Sequence, residues 1–173
     1  AQSGGGGEGS GQRLKSGAPL KVVYGFDQEF PPYSFAEAGG QPAGFEVDLI
    51  RAIFKGQAVD LQLKPLAWDR IQLELAGGQI SLTTGMVKTP QREELYSFSA
   101  LPTIAANIRF FTKLRNRVAD PILLRGQTVA VEKGSYAQRL LDMFGGIIVK
   151  AYPTKQDALR ALFADQVVGY CGP

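Results

Sequence analysis

What most restricts the folds open to this chain is an alternation: short β-branched runs and amphipathic helical stretches follow one another, punctuated by glycine, in both halves. Leu20 to Phe26 (LKVVYGF) reads as a buried strand. Pro31-Pro32 then forces a loop, and Gly39-Gly40 reads as a hairpin tip. Apolar residues next recur at helical spacing, with Phe45, Leu49 and Ile53 on one line and Val47, Ile50 and Phe54 on the next. This predicts a helix over 45–54 with one buried face. Strands over 61–65 and 80–86 flank a helix marked by Trp68, Ile71 and Leu75 and stopped at Gly77-Gly78. Thr89 as N-cap and Pro90 at the first helical position predict a brief helix, followed by extended chain over 96–99.

A second unit uses the same grammar, without a residue-level repeat. Strands are expected over 107–112, 128–131, 147–152 and 167–171, with a basic exposed loop over 113–120. Gly134-Ser135 leads into a helix marked by Ala137, Leu140, Leu141 and Phe144. Thr154 and Asp157 resemble a capping box, with Asp in place of Glu or Gln, for a helix carried by Ala158, Leu159, Leu162 and Phe163. The alternation implies parallel strands joined by crossover helices, an α/β protein.

Composition removes several function classes. Hydrophobic residues at 45% and charged residues at 20% are ordinary for a globular chain, and no apolar run is long enough to span a bilayer. A net charge of +3, dispersed along the chain, gives no footprint for nucleic acid. The absence of His removes His-dependent triads and the usual zinc sites. Cys171, the only cysteine, excludes an intramolecular disulfide. What survives is a binding role, with no enzyme activity, cofactor or metal expected. Residues 1–19, rich in Gly and Ser, read as a flexible tether, either the processed start of an exported protein or a linker. Folded chain is expected as one lobe over 20–105 and a second over 106–173. The sequence stops just after a buried strand, at Gly172-Pro173, so a longer protein is expected.

Three constellations carry chemistry. Asp27-Gln28-Glu29-Phe30-Pro31-Pro32-Tyr33 follows the first strand's carboxyl end, where open parallel sheets bind ligands. Its carboxylate and aromatic face suit an ammonium group, although a Pro-stiffened turn whose aromatics cap the core fits equally. Thr83-Thr84-Gly85-Met86-Val87-Lys88-Thr89-Pro90-Gln91-Arg92 offers hydroxyls, open backbone groups and a guanidinium fork that matches a carboxylate. Its plainer reading is a surface arginine paired with Glu93 or Glu94. Glu132-Lys133-Gly134-Ser135-Tyr136 places helix-start amides where an anion can bind, or is simply a βα turn. Jointly they describe a ligand held between two units.

The segments VVYGFDQEFPPYSF, PAGFEVDLIRAI, LKPLAWDRI, TGMVKTPQREELYSFSALP and VAVEKGSYAQRLL, in this order from Lys21 to about Gly172, resemble the family 3 periplasmic solute-binding proteins. The resemblance implies a periplasmic binding protein type II-like, two-lobed flytrap, truncated before the return segment that completes both lobes, a loss that would expose apolar surface on the first lobe. It implies a small carboxylate-bearing solute, an amino acid or related organic acid, with closure by a hinge near 99–106. By position, Asp27 and Phe30 match the loop whose aromatic packs over the ligand, and Trp68 matches a second apolar wall. Thr84, Gly85 and Val87 match the segment that binds ligand through backbone and hydroxyls. Arg92 matches the arginine that clamps the α-carboxylate, and Ser135 and Tyr136 match the helix start whose amides hold it. Two positions depart from the pattern: Val87 replaces a hydroxyl residue, and Pro173 stands near the place of the acid that meets an α-ammonium. The implied location is periplasmic or extracytoplasmic. The implied partners are an ABC importer permease or covalently attached signalling domains. A dehydratase-like enzyme, with Glu29 or Glu132 as its acid, is the alternative on the same scaffold.

Overall fold

The computed structural model describes residues 18–173, so the expected 1–19 tether lies almost wholly outside the described residues. Strand β1 (Leu20–Asp27) pairs in parallel with β5 (Val59–Leu66) along its whole length. Between them stand a small antiparallel sheet, β2 (Glu29–Phe30), β3 (Ser34–Ala36) and β4 (Pro42–Ala43), and helix α1 (Phe45–Phe54). Gly44 has φ 111, and a Cβ there would lie 2.5 Å from the Tyr33 carbonyl oxygen; only glycine lets the hairpin pass directly into α1. Helix α2 (Trp68–Ala76) follows β5, and the single turn α3 (Pro90–Glu93) is capped by Thr89, whose hydroxyl accepts from the Arg92 amide.

In the second half, β6 (Arg109–Thr112), β7 (Thr128–Glu132), β8 (Ile148–Tyr152) and β9 (Gly169–Gly172) form one sheet in the order β6-β9-β7-β8. Helices α4 (Tyr136–Phe144) and α5 (Lys155–Phe163) are its crossovers. Strand β6 runs antiparallel to β9, unlike the parallel strands that the alternation predicts, because it is entered from the 94–108 connector and not from a crossover helix.

The apolar core falls into separate clusters. Tyr24, Phe26, Val47 and Ile50 form one, and Trp68, Ile71 and Ile80 another, both built from the first half. Leu124, Val129, Val131, Ala137, Leu141 and Cys171 form a third around β7 and α4, and Ala130, Ala158, Ala161, Leu162, Val167 and Tyr170 a fourth under α5. Each half thus buries its own sheet against its own helices.

One strand expected in the first half is corrected, and the buried face expected of α1 is found. The strand expected over 80–86 reduces to a bridge between Leu82 and Tyr24. The Ser81 hydroxyl accepts from the Val23 amide at 3.0 Å, taking a donor the ladder would use, and Gly85 at φ 71 then turns the chain away. Of the two apolar lines on α1, Val47 and Ile50 are buried, while Phe45 and Ile53 are about half exposed.

Candidate functional site

The cleft between the halves has a volume of about 990 Å³. Asp27, Phe30, Trp68, Thr84, Gly85, Val87, Arg92, Ser135 and Tyr136 all line it. Several arrive from the ends of elements: Asp27 from the last residue of β1, Trp68 from the first of α2, and Tyr136 from the first of α4. Parallel strands ending at one edge make that edge the natural crevice.

At one end of the cleft stands Arg92. It is buried at 5% exposure, and none of its hydrogen-bond partners is a carboxylate. Its guanidinium donates to the Val87 carbonyl at 2.9 Å, and at 3.4 Å to both Gln72 Oε1 and the Gly134 carbonyl. It lies 5.9 Å from the centre of the Trp68 ring. Burial lowers its pKa, and the positive charge of Arg139 adds to the effect. The surface pairing with Glu93 or Glu94 is therefore overturned: Glu93 pairs instead with Lys88, at 2.9 Å.

The Gly134 carbonyl joins the halves at this end. It accepts from Trp68 Nε1 at 3.3 Å and Gln72 Nε2 at 3.2 Å, as well as from Arg92. Residue 134 immediately precedes the N-cap of α4, so Arg92 lies beside that helix N-terminus. Ser135 is the N-cap, its hydroxyl accepting from the Gln138 amide at 3.2 Å. The Ser135 amide donates to the Glu132 carbonyl at 3.2 Å, so it is already spent. The amides of Tyr136 and Ala137 have no acceptor within the helix and are the ones an anion can reach.

The middle wall is the 83–87 segment. The Thr84 hydroxyl shares a 2.6 Å hydrogen bond with the Tyr24 hydroxyl. Gly85 lies against the Phe30 ring, with the ring 3.8 Å from where a Cβ would stand. Behind it, Glu46 is buried on α1; one carboxylate oxygen accepts from Thr103 at 2.8 Å and the other has no partner. Burial raises its pKa. Glu46 thereby ties the connector between the halves to the first half.

Another part of the cleft holds Lys155, a residue the sequence reading passed over. Its ammonium donates to the Asp27 carboxylate and contacts Glu132 at 3.2 Å, 4.7 Å from the centre of the Phe30 ring. Asp27, Glu132 and most of the Lys155 side chain are buried. Burial pushes the Glu132 carboxyl up to about 7, against the pull of Lys155 and with the push of Asp27 and Glu29. The carboxylate and aromatic face that the sequence offered to a cation thus already face one. Gln72, too, escaped the sequence reading, having no motif to mark it.

Residues 22–167 match the bacterial extracellular solute-binding proteins, family 3. The chain belongs to this family. Among family members, the L-cystine-binding protein TcyJ of Escherichia coli (strain K12) is 31% identical over 156 residues, covering 85% of this chain and 58% of its own length. The solved structure of the arginine-, lysine-, histidine-binding protein ArtJ from Geobacillus stearothermophilus aligns with a TM-score of 0.81 at 27% identity, over 88% of this chain and 66% of that one. An enzyme shares part of the scaffold: membrane-bound lytic murein transglycosylase F of Desulfosudis oleivorans is 33% identical over 101 residues, 57% of this chain and 22% of its own length. The fold is the family's two-lobed α/β flytrap, and the chain spans little more than half the length of its L-cystine-binding relative.

Proposed function

We propose that this chain is the ligand-binding part of an extracytoplasmic receptor that captures a small carboxylate-bearing solute, an amino acid or related organic acid, between its lobes. The observation that carries the reading is Arg92, a buried guanidinium whose fork meets only neutral oxygens, beside the free amides of an α-helix N-terminus. A buried cation without a counterion is costly, and an incoming carboxylate supplies one. In the proposed complex the carboxylate displaces the long 3.4 Å contacts of Arg92 and accepts from Tyr136 and Ala137. Thr84, Gly85 and Val87 line its path, and Trp68 and Phe30 form apolar walls.

The first lobe spans 20–105 and the second 106–173, with closure about the connector near 99–106, where no regular structure occurs. The ligands named for the family's members support an amino acid as solute, and relatives named as ABC transporter arginine-binding proteins support an ABC importer as the downstream partner. Attachment to signalling domains is the second use, and either use places the chain in the periplasm or another extracytoplasmic space. A dehydratase-like enzyme is favoured only by the raised pKa of Glu132, and Lys155 already engages that carboxylate.

The test is a thermal-shift screen of amino acids and small organic acids, followed by calorimetry of the best ligand on the chain and on Arg92→Ala. Removing one partner of a desolvated charge pair typically costs about 2–5 kcal/mol, so Arg92→Ala should lose detectable binding while retaining its fold. Unchanged affinity would overturn the reading. Recovery of the ligand chemically unaltered after incubation separates a receptor from an enzyme.

A further inference from the structure

Asp27, Glu132 and the face of Phe30 together make a complete receptor for an ammonium or guanidinium group. That receptor is filled by the chain's own Lys155. We propose that Lys155 is a specificity-determining residue: it occupies the cation subsite of the cleft, so that the solute presents an uncharged end to Asp27 and Phe30. The proposal rests on the carboxylate-binding reading above, and names the substrate class for the same site.

The position of Lys155 argues against an incidental contact. It is the first residue of α5, where the helix dipole disfavours a positive charge, so what holds it there is the pair of carboxylates. Those carboxylates come from separate lobes, Asp27 at the end of β1 and Glu132 at the end of β7, with Phe30 closing the third side. The side chain is 13% exposed, so water does little to screen it. A cationic end of a solute would meet this ammonium at close range, and like charges so placed are strongly disfavoured. An anionic end would meet Asp27 and Glu132. Lys133, the residue after Glu132, is turned to an exposed pairing with Asp69. An uncharged end is what this arrangement admits.

A lobe-to-lobe latch is the competing role for Lys155, and the two roles separate cleanly. Loss of a latch changes the affinity for every solute by one common factor, whereas loss of a filter changes it selectively for cations. Calorimetry of the whole chain and of Lys155→Gln, each against the uncharged L-amino acids, L-cystine (net uncharged), L-glutamate, L-arginine and L-lysine, reads this directly. The chain itself should bind its best uncharged amino acid at least about 30-fold more tightly than L-arginine or L-lysine. Lys155→Gln should gain L-arginine affinity by at least about 30-fold relative to that uncharged amino acid, and the further change Asp27→Asn should remove the gain. Should Lys155→Gln fail to fold, the ranking measured on the unaltered chain decides alone. Tight L-arginine binding by the unaltered chain, or one common factor across all ligands in Lys155→Gln, overturns the filter and leaves the Arg92 clamp standing. Binding of none of these compounds to the unaltered chain overturns the filter, and the small organic acids of the screen above then decide the Arg92 reading.

Discussion

The cleft presents two cations largely withdrawn from water, Arg92 and Lys155, and they differ in what surrounds them. Lys155 faces two carboxylates and an aromatic ring, whereas Arg92 faces two carbonyls, an amide oxygen and an indole. The contrast separates two residues that line one cleft by what each still has to gain from a solute. A charge already compensated by its own chain has little to offer a solute, and a charge held among neutral dipoles has a counterion to gain. On the proposed reading, Arg92 receives the solute and Lys155 limits what is received.

The largest effect expected from breaking this comparison is at Arg92. Arg92→Lys keeps the charge but loses the fork that reaches the Val87 and Gly134 carbonyls, so the affinity for an amino acid should fall by about 10- to 100-fold by calorimetry. Full affinity in Arg92→Lys would mean that charge alone suffices there.

Next in size is a pH effect beside Lys155. The Glu132 carboxyl, raised from 4.5 to about 7 in the fold, favours the folded state most fully below 4.5, where it is protonated in both states. That contribution is lost as pH rises through about 7. The midpoint of thermal unfolding should accordingly drop over this interval on account of Glu132, and Glu132→Gln should flatten the profile. An identical slope in the variant would remove Glu132 from the account. The charged groups that set this titration are Lys155, Asp27 and Glu29.

Smaller changes sharpen the boundary between the two. Phe30→Ala removes a ring–ammonium contact worth about 0.5–2 kcal/mol, so uncharged solutes should bind within about 10-fold of the parent. The least effect belongs to Lys133→Ala. Its pairing with Asp69 also joins the two halves, at 3.3 Å, but the Lys133 side chain is 63% exposed, and a change under about 0.5 kcal/mol in unfolding free energy is expected.

Local chemistry made much of the fold readable. Helix α1 runs over 45–54 as its spacing predicts, and Thr89 caps α3 through the Arg92 amide as the Thr-Pro pair implies. Periodicity did not say which apolar line of α1 would be covered, because Val47 and Phe45 are equally apolar and only the sheet beneath decides. The strand expected over 80–86 failed for a similarly specific reason, the Ser81 hydroxyl replacing a backbone acceptor. At the cleft, residues inside motifs were legible and their partners were not. Lys155 is a single charge on an ordinary helix start, and its carboxylate partner Asp27 lies 128 positions away, beyond the reach of any local pattern. Glu46 sits inside GFEVDL, where a first-turn acid normally signals a helix start and not a buried tie to Thr103.

The central claim is that Arg92 takes the solute's carboxylate, and the most direct measurement compares the best-binding amino acid with its own α-carboxamide on the chain and on Arg92→Ala. The unaltered chain should bind the carboxylate form at least about 100-fold more tightly than the amide, and Arg92→Ala should lose that preference. Equal binding of acid and amide by the unaltered chain would contradict the account.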